Sequence, residues 1–300
     1  MKRVVSISLG SSKRNHKVET ELLGEKFSIE RIGTDGNMKK MIEMIKNLDG
    51  QVDAFGLGGM DLYIRVGARR YLIRDAAKVA RAARKTPIVD GGGLKDTLER
   101  RVINYLNDKG IINFSGKKVL MVSAVDRFGM AEALDAVGAD LVCGDLIFGL
   151  GLNLPLRSLK SFQRVAYMIA PIIGFLPFKL IYPTGKEQEK IVNCHQRYYE
   201  EAEIIAGDFL FIRRYLPDKL SGKTIITNTV TAADVEELRR RGIKTLITTT
   251  PEFNGRSFGT NVMEGVVLAF IGKKVETVTA EDYNQVLDQL NFTPRIVNLN

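Results

Sequence analysis

Asp90 is the residue in this chain best placed to do chemistry. It ends the run Thr86-Pro87-Ile88-Val89 and is followed directly by Gly91-Gly92-Gly93. A carboxylate on a glycine-flanked loop can hold a hydroxyl group and exchange its proton, and it can equally satisfy the amides of its own turn. Lys95 follows five residues later, either pairing with that carboxylate or lying on a helix surface. A second group begins at Ser123, where an apolar run opens on Ala124-Val125-Asp126-Arg127-Phe128-Gly129, and Asp145 ends the next apolar run. A loop followed about twenty residues later by an acid is the spacing of a dinucleotide's phosphate turn and its ribose-binding carboxylate. That spacing nominates Ser123, Asp126, Arg127, Phe128, Gly129 and Asp145 as cofactor contacts, joined by Asn228 and Thr229 at a later strand end. The turn is spare: a GxGxxG loop uses three glycines, whereas this one has Gly129 alone and an added negative charge on Asp126, which Arg127 offsets. Gly58-Gly59-Met60-Asp61 is a further turn where backbone and ligand can approach closely, or simply a tight turn, and it nominates Gly59 and Asp61 as substrate contacts.

The elements that must carry these residues alternate. Val4–Leu9 and Phe27–Ile32 read as strands, and Met38, Met41, Ile42, Ile45 and Leu48 have helical spacing, with Asp35 or Asn37 as the cap. Val52–Leu57 is a strand. A helix is predicted from Tyr71 to Ala83, carrying a basic stripe of Arg70, Arg74, Lys78, Arg81 and Lys85. Leu94, Leu98, Val102 and Leu106 make a helix that crosses into the second half. After it come strands at 119–123, 140–145, 203–208, 224–228 and 245–249, with helices between them. A mostly helical segment starts near Leu156. Thr184 with Glu187 forms a capping box for a helix along which Ile191, His195, Tyr198 and Ala202 lie; Thr231 with Asp234 and Thr279 with Asp282 cap two more. This rhythm predicts an α/β fold with parallel sheets and right-handed crossovers. It divides into an N-terminal α/β domain over 1–112 and a Rossmann-like domain over 113–300, whose last helix is a candidate to pack back on the first domain.

Of the 300 residues, 45% are apolar, enough for substantial cores, and the net charge is +9. The charge is concentrated in residues 1–112, with 22 Lys+Arg against 14 Asp+Glu, which suits a small anionic substrate, a nucleic acid or plain solubility. No nucleic-acid motif accompanies it, and no aromatic residues interleave with the basic stripe. Cys143 and Cys194 are too far apart in sequence to suggest a zinc site, and Cys194 and His195, as helix neighbours, point apart; no metal is expected. The chain opens on a strand with no signal-peptide pattern, so a cytoplasmic location is the default. The longest uncharged run, Val165 to Phe178, is fourteen residues, short of the roughly 18 that span a bilayer. It reads as buried helix and turn, with interfacial contact the lesser alternative, and no membrane partner is expected.

Taken together, these segments resemble the shikimate/quinate dehydrogenase family, and within it a bacterial quinate 5-dehydrogenase-like group. Asp90-Gly91-Gly92-Gly93-Leu94 is similar to the family's Asp-Gly-x-Gly segment. Gly116-Lys117-Lys118-Val119-Leu120 is similar to the entry of its nucleotide domain, and Thr231–Gly242 and Met263–Lys273 to its C-terminal helices. The resemblance implies that residues 1–112 form an N-terminal α/β substrate domain and that Asp90 is catalytic. It also implies that Ser11 and Ser12, in Ser8-Leu9-Gly10-Ser11-Ser12, belong to a substrate loop, and that Glu264 falls near a substrate-contacting glutamine. The family's Asn-Val-Thr-x-Pro-x-Lys motif has no match, so Lys95 or an arginine of the basic half stands in for its lysine. The implied activity is NAD-dependent oxidation of a secondary alcohol on a quinate- or shikimate-like hydroxy acid. NAD is expected over NADP because the Asp145 carboxylate repels a 2′-phosphate. The alternative is a non-redox enzyme or regulatory protein holding another nucleotide or an adenosyl ligand in the same cleft. A homo-oligomer stays open.

Overall fold

Apolar strands alternating with amphipathic helices assemble into two sheets. The computed structural model describes residues 1–178, 190–253 and 256–300. The first sheet runs His16–Leu22, Glu25–Gly33, Lys2–Ser8, Ala54–Gly58, Ile88–Val89 in spatial order, parallel except for the antiparallel pair at its outer edge. The second runs Asp140–Cys143, Lys118–Met121, Ile204–Ala206, Thr224–Thr227, Thr245–Thr248, all parallel, and is closed by antiparallel Arg295–Asn298. The fold is thus two-domain α/β, as the alternation predicts. In the second sheet the strand order reverses between Lys118–Met121 and Ile204–Ala206, and such a switch point opens a crevice beyond the carboxyl ends of the strands.

Each sheet is covered on both faces, which explains strands as uniformly apolar as Val4, Val5 and Ile7, all fully buried. Met38–Leu48, capped by Asn37 through a hydrogen bond from Lys40 N, turns Met41 and Ile45 inward. The opposite face of the first sheet is covered by Thr260–Ile271, a helix from the far end of the chain. Val4 and Ala54 meet Gly265 there, Gly56 meets Asn261, and the Asn261 amide donates to Ser6 Oγ at 2.7 Å. Both capping boxes, Thr231 with Asp234 and Thr279 with Asp282, form as expected.

Several elements differ from the sequence reading. The predicted helix over 71–83 is confined to Arg74–Ala80. The residues before it fold into the hairpin Tyr63–Val66/Arg69–Leu72, because Gly67 takes the left-handed turn conformation and Ile64 and Val66 alternate inward. Arg70 is therefore on a strand, and the basic stripe is split. The helix through Leu94–Leu106 is two helices, Gly92–Asp96 and Leu98–Asp108, jointed at Thr97. His195 has a left-handed backbone and lies before the short helix Arg197–Glu201. The strands His16–Leu22 and Arg295–Asn298 were not foreseen. Thr184 and Glu187 lie outside the described residues. No helix among the described residues is long and apolar enough to cross a membrane.

Candidate functional site

The carboxyl ends of both sheets point into one cleft. Ser8, Gly58 and Asp90 end strands of the first sheet, and Asp126, Asp208 and Asn228 follow strands of the second. All six line a cavity of about 160 Å³. A second cavity of about 270 Å³ lies behind it, under the 63–72 hairpin, and Asp61, Asp90, Lys95 and Asp126 line both.

Lys95 forms the partition. Its Nζ donates to Asp61 Oδ1 and Asp126 Oδ1, each at 2.5 Å, tying the first sheet's loop to the second's. Burial alone would lower the ammonium's pKa, but the two carboxylates outweigh it and hold Lys95 above its ordinary value. The carboxylates diverge. Burial pushes Asp61 well above the usual carboxylate range, against the pull of Lys95, whereas Lys95 and Arg127 together overcome burial at Asp126 and hold it below that range. Two neighbouring acids driven apart in this way divide into a proton holder and a fixed charge.

Asp90 is anchored by its own loop: Oδ2 accepts from Leu62 N at 2.6 Å and Oδ1 from Gly92 N at 2.9 Å. Each oxygen keeps lone-pair capacity for a ligand hydroxyl. Gly91 sits at φ 96°, and a side chain there would strike Asn261 N and Thr260 Oγ1 at 2.8 Å, so the loop must be glycine to lie on the N-terminus of the Thr260–Ile271 helix. Glu264 braces the next residue. Its Oε1 accepts from Gly93 N at 3.1 Å and from Tyr283 OH at 2.5 Å, and burial, helped by the charge on Asp90, pushes it up to about 7.

The expected nucleotide turn is held internally. Arg127 is 1% exposed, ion-paired to Glu99 and, at 3.2 Å each, to Asp126 and Asp208. Burial pushes Glu99 up to about 7 despite that pairing. Gly129 lies where a Cβ would come within 2.7 Å of the Lys95 carbonyl oxygen, so this glycine serves helix-to-helix contact. Asp145 accepts from Ala124 N at 3.1 Å and Val125 N at 2.9 Å, and burial still lifts it to about 6. Beside it lies an apolar slot of about 120 Å³, lined by Ser123, Val125, Asp145, Phe162, Ile169 and Phe211 among others, and Phe211 also lines the front cavity.

Twelve of the fifteen sequence-nominated residues fall into three groups. Asp61, Asp90, Lys95, Asp126, Arg127, Gly59, Asn228 and Thr229 all reach the front cavity; Phe128 and Gly129 line the rear one; Ser123 and Asp145 line the slot. Ser11, Ser12 and Glu264 line none of the three, which differs from the expectation that they contact substrate. Ser11 Oγ instead caps a short turn by accepting from Lys13 N, Ser12 is exposed, and Glu264 supports Gly93 from behind. Ser6 and Ser8 take the cleft positions, and their alternation within an otherwise apolar strand was the signal that marked them. Arg14, Arg31, Asp208, Phe211 and Asn261 were also missed, since only the fold brings them to the cleft. Arg14 crosses it, pairing with Asp234 at 3.2 Å and reaching the Thr229 carbonyl at 3.4 Å.

Residues 93–299 match the family described as a domain of unknown function (DUF8754), and the chain belongs to it. Residues 3–90 match a second such description, DUF8753. No curated protein matches the sequence. Similar solved structures include an NAD-dependent malic enzyme from Thermotoga maritima, at 11% identity and TM-score 0.34, covering 96% of this chain and 84% of that one. An ABC transporter solute-binding protein from Burkholderia multivorans is similar at 12% identity and TM-score 0.37, covering 99% of each chain. L-tryptophan dehydrogenase from Nostoc punctiforme is similar at 12% and 0.36, covering 90% and 68%.

Proposed function

We propose that this chain is an NAD-dependent oxidoreductase acting on the secondary alcohol of a small anionic hydroxy acid of the quinate or shikimate kind. The observation that carries the reading is the cluster Asp61–Lys95–Asp126 beside Asp90, at the point where the carboxyl ends of both sheets meet. Asp90 holds the reacting hydroxyl through its remaining lone pairs. The Lys95 ammonium, fixed between two carboxylates, stabilises negative charge as it develops on that oxygen. Asp90 also takes the hydroxyl proton, while Asp61, which burial lifts well above the usual carboxylate range, keeps its own proton and donates a hydrogen bond to Asp126. Arg14 and Arg31 add positive charge to the cavity wall, which favours an anionic substrate.

The slot fits the adenosine half of the cofactor. Phe162 and Ile169 offer apolar walls for a flat base, and Asp145 offers its spare lone pairs to a ribose hydroxyl. When bound, the nicotinamide ring supplies a hydride acceptor for the carbinol carbon. The test is appearance of reduced nicotinamide absorbance when the protein is given NAD with quinate or shikimate, and its loss in Asp90→Ala. Absence of a thermal shift with NAD removes the redox reading. One observation favours a second reading, a non-redox protein holding an adenosyl ligand: the Gly129 turn is packed against Lys95 rather than open to a pyrophosphate. Stabilisation by an adenosyl compound but not by NAD selects that reading.

A further inference from the structure

Between Asp145 and Glu187 the sequence contains no aspartate or glutamate, but it does contain Arg157, Lys160, Arg164, Lys179 and Lys186. The helix Leu159–Ile173 within this stretch has two faces. Leu159, Phe162, Ala166 and Ala170 are buried, whereas the line Lys160, Arg164, Met168, Ile172, continued by Phe175, is exposed. Met168, Ile172 and Phe175 are 67%, 63% and 69% exposed, an extent of bare apolar surface that water does not favour. Two arginines from the neighbouring hairpin and helix flank it: the Arg69 guanidinium stands 5.4 Å from the Tyr167 ring centre, and that of Arg74 5.5 Å from the Phe175 ring centre. Both arginines are exposed.

An apolar ridge bordered by cations and without acids in its own segment is complementary to one kind of surface. We infer that this face seats the protein on an anionic lipid bilayer, with Met168, Ile172 and Phe175 entering the acyl boundary and Lys160, Arg164, Arg69 and Arg74 meeting the headgroups. The sequence reading set interfacial contact below a buried helix and turn and expected no membrane partner, and the exposure of Met168, Ile172 and Phe175 is what reverses that order. Lying in the interface needs only one apolar face and a basic border. The inference is independent of the cleft chemistry.

Flotation of the full chain with phosphatidylserine-containing vesicles tests it, with pure phosphatidylcholine vesicles alongside. Binding to the first is expected, weaker by roughly tenfold on the second and in high salt. Met168→Glu/Ile172→Glu/Phe175→Glu and, separately, Lys160→Glu/Arg164→Glu are each expected to lower binding by roughly tenfold or more with the thermal melt unchanged, since all five side chains are exposed. No flotation at low salt overturns the inference, as does flotation that both variants retain. It is also overturned by a stable dimer in lipid-free solution that the triple variant dissociates, which assigns the ridge to a second copy.

Discussion

Replacing Lys95 by methionine removes the charge and keeps most of the side-chain volume, so it isolates the electrostatic role of the partition. In the native protein the ammonium is 13% exposed and makes two 2.5 Å bonds, to side chains 17% and 8% exposed. Breaking a buried ion pair from one side costs about 3–5 kcal/mol, because a charge is left without compensation. Asp61 already favours its protonated form and can donate to Asp126, so the lower end, about 3 kcal/mol at pH 7, is the expected loss. The pH dependence fixes the sign. In the native protein Asp126 has a depressed pKa, so its contribution is present above the unfolded value near 4 and is lost as pH falls through the folded one. Without Lys95 the buried Asp126 titrates above its unfolded value, so the variant loses stability as pH rises from about 4, and the gap between the proteins narrows on acidification. Guanidinium unfolding followed by circular dichroism at pH 5 and pH 8 measures this, and the chain has no tryptophan to complicate the choice of probe. Lys95→Met/Asp126→Asn should recover at least half of the loss. A penalty below about 1 kcal/mol at both pH values, with no rescue by the double variant, refutes the reasoning.

Glu264, folded near 7 against an ordinary 4.5, favours its neutral form in the native state. Native stability should therefore fall by up to about 3 kcal/mol as pH rises through that window, and Glu264→Gln, which keeps the acceptor for Gly93 and Tyr283, should flatten the decline in denaturant melts. Gly129→Ala brings a methyl group against the Lys95 carbonyl and should cost about 2 kcal/mol in a thermal melt; an unchanged melting temperature shows that the contact yields. Arg14→Ala removes the cross-cleft tie to Asp234 and the Thr229 carbonyl, and faster hydrogen exchange at residues 229–234 is the expected readout.

Much of this was legible in the sequence because it depends on local order. Continuous apolar strands, helix spacing and the two Thr/Asp capping boxes are written in neighbouring residues, and both capping boxes start the helices expected of them. Asp90, Asp61, Lys95 and Asp126 were legible because glycine turns at strand ends mark the rim of a parallel sheet. The bond between Lys95 and the carboxylates of two different domains was not, since it depends on the meeting of loops 31 and 34 residues apart. The 63–72 hairpin was hidden by a run of arginines that mimics a helix face; two-residue alternation in Ile64 and Val66 was the better signal. Ser11 and Ser12 were favoured by resemblance over register, and the register of Lys2–Ser8 directs Ser6 and Ser8 to the cleft instead.

The helix Thr260–Ile271, which covers one face of the first sheet, also sets a timetable for synthesis. The last strand of that sheet ends at Val89, and the covering helix begins about 170 residues later. At ribosomal speeds of roughly 5–20 residues per second, the nascent sheet keeps an apolar face bare for about ten to thirty seconds. Val4, Ala54 and their neighbours are then open to chaperones and to other nascent chains. Polysomes crowded with this message are where its aggregation should begin, and a circular permutant starting near residue 258 would deliver the cover before the sheet.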